Sequence, residues 1–292
     1  MKKYFMILAA ALLTFAACNK DDDKSEDKNI LEYGGVKYKT VTLSNGQTWM
    51  AEPLRYLPEG AKVSDDPASE GIVYAYKFKD LVYSEDGTKL NSSTMVLANT
   101  DELIKELGYL YDLKSIFGAD VTAENYDKLE GVQGICPAGW HIPTHSDFME
   151  LIGYSVSRDN ANASAVETND KAEFYNKDYE GAKVTEMNKG GFNYSLSGYA
   201  LNGKYGTIAL SKVTTSVESL YGYNSAFNYV ISSTGYKPKS GFQLFGMMTT
   251  FNQSKYPEGR ATLGYVSIAN ASTGASMKTK VQVRCVKDSE KK

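Results

Sequence analysis

Two histidines, His141 and His145, and three cysteines, Cys18, Cys136 and Cys285, are the whole stock of side chains that ordinarily carry nucleophilic, metal-binding or acid–base chemistry near neutral pH. The histidines stand four residues apart, a spacing that on one continuous helix would set both imidazoles on the same face as metal ligands. Pro143 lies between them, however, and Thr144 reads as a helix N-cap, so the two rings belong to different elements. Ile142 also stands where an HExxH site would carry its glutamate. No metal ligation is expected, and His141 reads as a buried hydrogen-bonding residue beside Trp140. Gly190-Gly191 lacks the preceding strand and following helix of a phosphate loop, so no nucleotide cofactor is expected either.

The other chemical signal is aromatic. The chain has 22 tyrosines, with Tyr194, Tyr199, Tyr205, Tyr221, Tyr223, Tyr229 and Tyr236 interleaved with Asn193, Asn202, Asn224 and Asn228. A tyrosine offers a flat apolar ring and a polar tip at low entropy cost, which suits protein contacts and stacking on sugar faces. Tyr199, Tyr221, Tyr223, Tyr229, Tyr236 and Asn224 are therefore the candidate binding face. For any single ring the alternative is an ordinary half-exposed sheet position.

The elements that must position these residues follow from pattern. With 292 residues, 42% of them apolar and 23% charged, the chain can bury a core. A formal charge of −3 gives no footprint for nucleic acid. Val36 to Leu43 and Gln47 to Ala51 flank Asn45-Gly46, the pattern of a β-hairpin. Asn99 or Thr100 can cap a short helix that carries Leu103, Ile104 and Leu107 on one face and ends before Gly108. Thr144, with Asp147 three residues on, makes a capping box for a helix from about His145 to Tyr154, with Phe148, Leu151 and Ile152 as its apolar stripe. Short strands are expected at Phe192–Leu196, Tyr229–Ser232, Phe242–Thr250, Arg260–Ile268 and Val281–Val286. Residues 157–190 read as a polar excursion without an assignable element. The fold class is α+β, with loop-rich antiparallel sheets and one or two short helices.

Residues 1–17 read as a secretory leader: Lys2 and Lys3 precede an apolar run from Tyr4 to Ala17 that is too short to span a bilayer. Ala16-Ala17-Cys18 resembles a bacterial lipobox, which implies cleavage before Cys18 and acylation of that residue, an anchor for stable membrane attachment. Residues 18–30 form an acidic tether. Its Lys20-Asp21-Asp22 opening resembles the export signal of Bacteroidetes lipoproteins that reach the cell exterior, although composition alone also fits a plain soluble linker. Residues 31–288 read as one domain, followed by a polar tail, 289–292.

Four segments together resemble the Fibrobacter succinogenes major paralogous domain: Gly46-Gln47-Thr48-Trp49-Met50-Ala51-Glu52; Gly108-Tyr109-Leu110-Tyr111; Gly134-Ile135-Cys136-Pro137-Ala138-Gly139-Trp140-His141-Ile142-Pro143-Thr144; and Val283-Arg284-Cys285-Val286-Lys287-Asp288. Trp49, Trp140, His141, Thr144 and Arg284 are its structural motif residues here. Pro53 and Phe148 depart from the asparagine and tryptophan usual in the family, and Tyr229-Val230-Ile231-Ser232-Ser233-Thr234 lacks the tryptophan of its Trp-Ser-Ser-Thr tract. The family in turn resembles C-type-lectin-like and formylglycine-generating-enzyme folds, which implies paired terminal strands and a long irregular region presenting a surface. The calcium-binding tracts of C-type lectins are absent; Glu52-Pro53-Leu54 is only a partial echo.

With Cys18 acylated, Cys136 and Cys285 remain in an exported chain, where disulfides persist, and are expected to pair. Closing so long a loop is worth about 4 to 5 kcal/mol in the chain-entropy account. The alternative is a catalytic thiol, but a formylglycine-type oxidase needs two neighbouring cysteines near its end, and only Cys285 lies there. The expected function is a surface-exposed outer-membrane lipoprotein whose non-catalytic, lectin-like domain binds an extracellular glycan or protein without a cofactor. A structural component of a cell-surface complex and a formylglycine-type enzyme are the alternatives.

Overall fold

The computed structural model describes residues 29–83, 85, 90–156, 166–179, 181–205, 228–237, 241–252, 256–267 and 278–289. The leader, Cys18 and the tether up to residue 28 lie outside these, as do Tyr221, Tyr223 and Asn224. Among the described residues no helix is long and apolar enough to cross a membrane.

Three larger sheets, two two-stranded ones and four short α-helices are the main elements of the described structure, and the α+β reading stands at that level. The first sheet has the order Ile30–Tyr33, Val36–Thr42, Thr48–Met50, Val286–Lys287, Trp140–His141, all antiparallel. The second runs Lys204–Tyr205, Ala200–Leu201, Thr279–Val281, Tyr109–Asp112, Ile72–Tyr74, Val63–Ser64. The third runs Tyr175–Asn176, Gly181–Lys183, Tyr256–Ser267, Gln243–Asn252, Asn228–Tyr236. Two further hairpins pair Tyr76–Tyr83 with Leu90–Leu97 and Tyr154–Val156 with Val166–Thr168.

The expected hairpin forms, with Thr40 opposite Met50 and Thr42 opposite Thr48. Its turn is wider than a two-residue loop: Leu43 N–H donates to Gln47 O at 2.9 Å, and Gly46 alone takes the left-handed conformation, φ 88°. That is a turn closed by a bulge, the next commonest hairpin connection. Helix α1, Asp101–Leu107, is capped by Thr100, whose hydroxyl accepts from Leu103 N–H, and it stops at Gly108. Helix α2 spans Leu113–Phe117. Helix α3, His145–Ile152, carries the full capping box of Thr144 and Asp147, and buries Phe148, Leu151 and Ile152. It ends two residues earlier than expected because Gly153 takes the left-handed C-cap and Tyr154 starts a strand. Helix α4 covers Val184–Lys189, within the stretch left unassigned from the sequence. Residues 157–165 of that stretch lie outside the described residues.

Two expected strands need correction. Phe192–Leu196 is not a strand, because side chains rather than a neighbouring strand satisfy its backbone: Arg284 donates to the carbonyls of Phe192 and Asn193, and Asn228 Nδ2 to that of Ser195. Val281–Val286 is not one strand either. Thr279–Val281 lies in the second sheet, Gln282 makes a parallel bridge to Val230 of the third, and Val286 pairs in the first. The C-terminal segment thus crosses between sheets and joins all three. Its side chains reinforce this: Gln282 Nε2 donates to Ser197 Oγ at 2.6 Å and to Leu107 O at 3.3 Å. Cys285, at the crossing, is disulfide-bonded to Cys136, and both are buried.

A main core gathers Tyr38, Met50, Leu54, Tyr111, Ile142 and the disulfide. A second, around Trp49, Phe148, Phe192 and Val230, lies on the other side of the first sheet's motif strands. Trp49 meets Phe148 and Phe192 at 5.6 Å between ring centroids in each case.

Candidate ligand-binding cleft and the motif network beside it

His141 ends up between two carboxylates. Its Nδ1 lies 2.7 Å from Asp288 Oδ1 and its Nε2 3.2 Å from Asp147 Oδ2. Asp147 is placed by α3, where the same oxygen accepts from the Thr144 N–H at 2.7 Å and the Thr144 hydroxyl at 2.6 Å. Asp288 is placed by the last strand pair, with its own N–H donating to Gly139 O at 2.9 Å. Gln47 extends the network into the hairpin: Nε2 donates to Asp147 O at 3.2 Å, while Oε1 accepts from Trp49 Nε1 at 3.2 Å. Burial opposes protonation of His141, but the hydrogen bonds to Asp147 and Asp288 outweigh it and hold the imidazole pKa above its ordinary value. Burial would likewise raise Asp147, yet the bonds from His141 and Thr144 keep its carboxyl below the usual range.

This geometry decides what His141 can do. A general base needs one ring nitrogen facing a substrate or nucleophile, and a metal ligand needs an unprotonated nitrogen. Both nitrogens face carboxylates here, so the residue ties the hairpin, α3 and the C-terminal end together. His145, at the start of α3, is buried against Phe245 at 4.6 Å, and its N–H donates to Thr234 Oγ1. The two histidines do sit on different elements. Among the described residues no group of three or more His, Cys, Asp or Glu side chains is placed to hold a metal.

Arg284 is fully buried. Nη1 donates to Phe192 O at 2.6 Å and Met50 O at 3.3 Å, and Nη2 donates to Asn193 O at 2.7 Å. Its guanidinium lies 4.8 Å from the Phe192 ring centroid. Desolvation pulls its pKa down to about 10, which still leaves it cationic at neutral pH.

Above this cation a cleft of about 530 Å³ opens between the first sheet, α1 and the 191–193 segment. Lys39 comes from the sheet, Glu52 from the bend just after strand Thr48–Met50, Glu102, Lys105 and Glu106 from α1, and Asn193 from the segment. The apolar stripe of α1, Leu103, Ile104 and Leu107, turns inward, which leaves residues 102, 105 and 106 on its outer face. Asn193 has φ 48°, a left-handed backbone that asparagine tolerates better than most residues. Glu52 lies deepest: its side chain is only 7% exposed, and Oε2 accepts from Arg55 Nη2 at 2.8 Å. Oε1 makes no hydrogen bond among the described residues but is not closed off from solvent, whereas Arg55 Nη1 is buried without a partner.

Of the tyrosine face expected from the sequence, Tyr236 departs by being buried, while Tyr199 and Tyr229 keep partly exposed rings. Tyr236 is buried against Phe245 and Tyr265. Tyr199 and Tyr229 are half-buried and pack edge to face, 5.6 Å apart, with the Tyr229 hydroxyl donating to Tyr265 O at 3.1 Å. Burial raises the pKa of both phenols. Tyr236, Phe245 and Tyr265 all belong to the third sheet, so Tyr236 packs on that sheet's own face. Glu52, Arg55, Gln47 and Asp288 were missed as site residues, although Gln47, Glu52 and Asp288 stand inside the quoted motifs.

The family model of the Fibrobacter succinogenes major domain matches residues 44–287. No curated protein and no solved structure gives a significant match.

Proposed function

The chain belongs to the Fibrobacter succinogenes major domain family, and from that premise we propose that it is an outer-membrane lipoprotein facing the cell exterior, whose lectin-like, non-catalytic domain binds an extracellular glycan or protein. The observation that carries the binding half of this reading is the state of His141: the histidine of the central motif has both nitrogens facing carboxylates, while a cleft lined by charged side chains opens elsewhere, at the other end of the hairpin. The disulfide removes the thiols that an oxidase would use. The leader, Cys18 and the acidic tether support the placement.

The test has two arms in the native host. An alkyne analogue of palmitate should label the wild-type chain and not Cys18→Ser. Protease added to intact cells should remove the domain. Protection from protease in intact cells, with cleavage only after lysis, would put the domain inside the envelope and end the surface reading. A second reading, an assembly component, is favoured by the hairpin Tyr76–Tyr83/Leu90–Leu97, which has no further strand partner among the described residues and exposes Val82.

A further inference from the structure

We infer that the cleft over Glu52 is a calcium-independent site for a neutral, polyhydroxylated ligand, a glycosyl unit that presents a vicinal diol. The inference rests on the glycan arm of the proposed function and names its site.

A buried carboxylate is costly unless its oxygens are satisfied. Glu52 satisfies one: Oε2 is held by Arg55, itself only 10% exposed, so the carboxylate is fixed in orientation before any ligand arrives. Oε1 makes no hydrogen bond among the described residues, on a side chain that lines the cleft, and unlike Arg55 Nη1 it is not shut off from solvent, so a ligand can reach it. What it lacks is a hydrogen-bond donor. The surroundings select among donors. A cationic ligand would come close to Arg55 and feel the buried Arg284, whose charge interacts with that of Glu52. An anionic ligand would meet three carboxylates, Glu52, Glu102 and Glu106, against the two ammoniums of Lys39 and Lys105. A hydroxyl pair avoids both penalties: one hydroxyl donates to Oε1, and its neighbour accepts from Asn193 Nδ2 or the Lys105 ammonium. Glu106 is already held by Lys77 at 2.7 Å, which leaves Glu102 and Lys105 as the adaptable groups of the helix rim. The backbone under Asn193 is pinned by Arg284, so the site is preformed on both sides.

The experiment uses the full chain in detergent micelles, applied to immobilised neutral oligosaccharides of glucose, mannose, galactose and xylose. Sulfated glycans and oligolysine serve as anionic and cationic comparators. Wild type should bind at least one neutral oligosaccharide, with and without EDTA. Glu52→Gln should weaken that binding about 10-fold or more, as loss of a charged acceptor does. Asn193→Gly keeps the left-handed backbone, removes only an exposed side chain, and should weaken binding several-fold even if Glu52→Gln fails to fold. Neutral-glycan binding that neither variant changes would overturn the site and leave the proposed function standing. Binding confined to sulfated glycans or oligolysine would overturn the ligand chemistry. No glycan binding at all would overturn the inference together with the glycan arm, and the protein arm would stand on crosslinking to a surface partner.

Discussion

His141 and Glu52 are both ionisable motif residues, the first partly exposed and the second buried, and the sequence around each is equally suggestive; what separates them is how many of their polar atoms the fold itself uses. Each nitrogen of His141 has a carboxylate within hydrogen-bond reach. Glu52 has one oxygen on Arg55, and its other makes no hydrogen bond among the described residues, on a side chain that lines the cleft. A group whose every polar atom is matched internally can stabilise and position, and has nothing left for a ligand. A group held rigid at one atom and open at another is built to receive one. On the proposed reading, ligand binding therefore belongs to the cleft over Glu52 rather than to the most recognisable motif.

If that contrast is right, damage to the motif network should cost stability, and damage to the cleft should cost binding alone. The largest loss belongs to the disulfide: Cys136→Ala with Cys285→Ala should destabilise by about 2–5 kcal/mol in urea unfolding, since 149 residues separate the two cysteines. Next, Arg284→Met strips the donors from three backbone carbonyls in a fully buried place and should cost about 3 kcal/mol. A loss below about 1 kcal/mol would show that the 192–193 segment stands without it.

His141→Phe should cost about 1–3 kcal/mol and change the pH profile. His141 has a raised pKa in the fold, so its contribution is complete below the ordinary value of 6.5 and disappears as pH rises through the folded value. Asp147 has a lowered one, so its contribution holds above the ordinary 3.8 and is lost as pH falls through the folded value. Wild-type unfolding midpoints should therefore decline as pH climbs above 6.5, and the variant should lack that decline. Most of this comes from Asp147, because Asp288 is 55% exposed and its ion pair is screened. Thr144→Ala removes the cap of α3 and should cost about 1 kcal/mol. At the other end, Glu102→Ala and Lys105→Ala, on the outer face of α1, should change stability by less than about 0.5 kcal/mol while altering glycan binding. A stability loss as large as that of His141→Phe would erase the contrast.

The parts of this arrangement that local chemistry dictates were legible in the sequence. Thr144 and Asp147 announce α3, Thr100 announces α1, and Asn45-Gly46 announces the hairpin, because caps and turns act over three or four residues. The disulfide was legible from cysteine arithmetic. The C-terminal crossing was not: Val281–Val286 reads as one strand by residue type, and only the positions of three sheets make it leave one and enter another. Phe192–Leu196 failed for the same reason, since its partner is a guanidinium about 90 residues away, which no periodicity announces. Tyr236 was misread because the property that suits a tyrosine to a binding face, a flat ring with a polar tip, also suits it to packing against its own sheet. Half of the His141 site was visible in Asp147; Asp288, 147 residues away, was not. Glu52 carried no signal that it keeps an oxygen free, which depends on where Arg55 and α1 lie.

The central claim, that the motif histidine is fully engaged by the fold, is tested most directly by long-range proton–nitrogen NMR of the imidazole rings across pH, with His141→Phe identifying the resonance. The account predicts that His141 stays doubly protonated through pH 6.5 and titrates above it. An unprotonated ring nitrogen at pH 6.5, titrating at or below the ordinary value, would mean that the motif keeps a base free for chemistry, and would contradict the account.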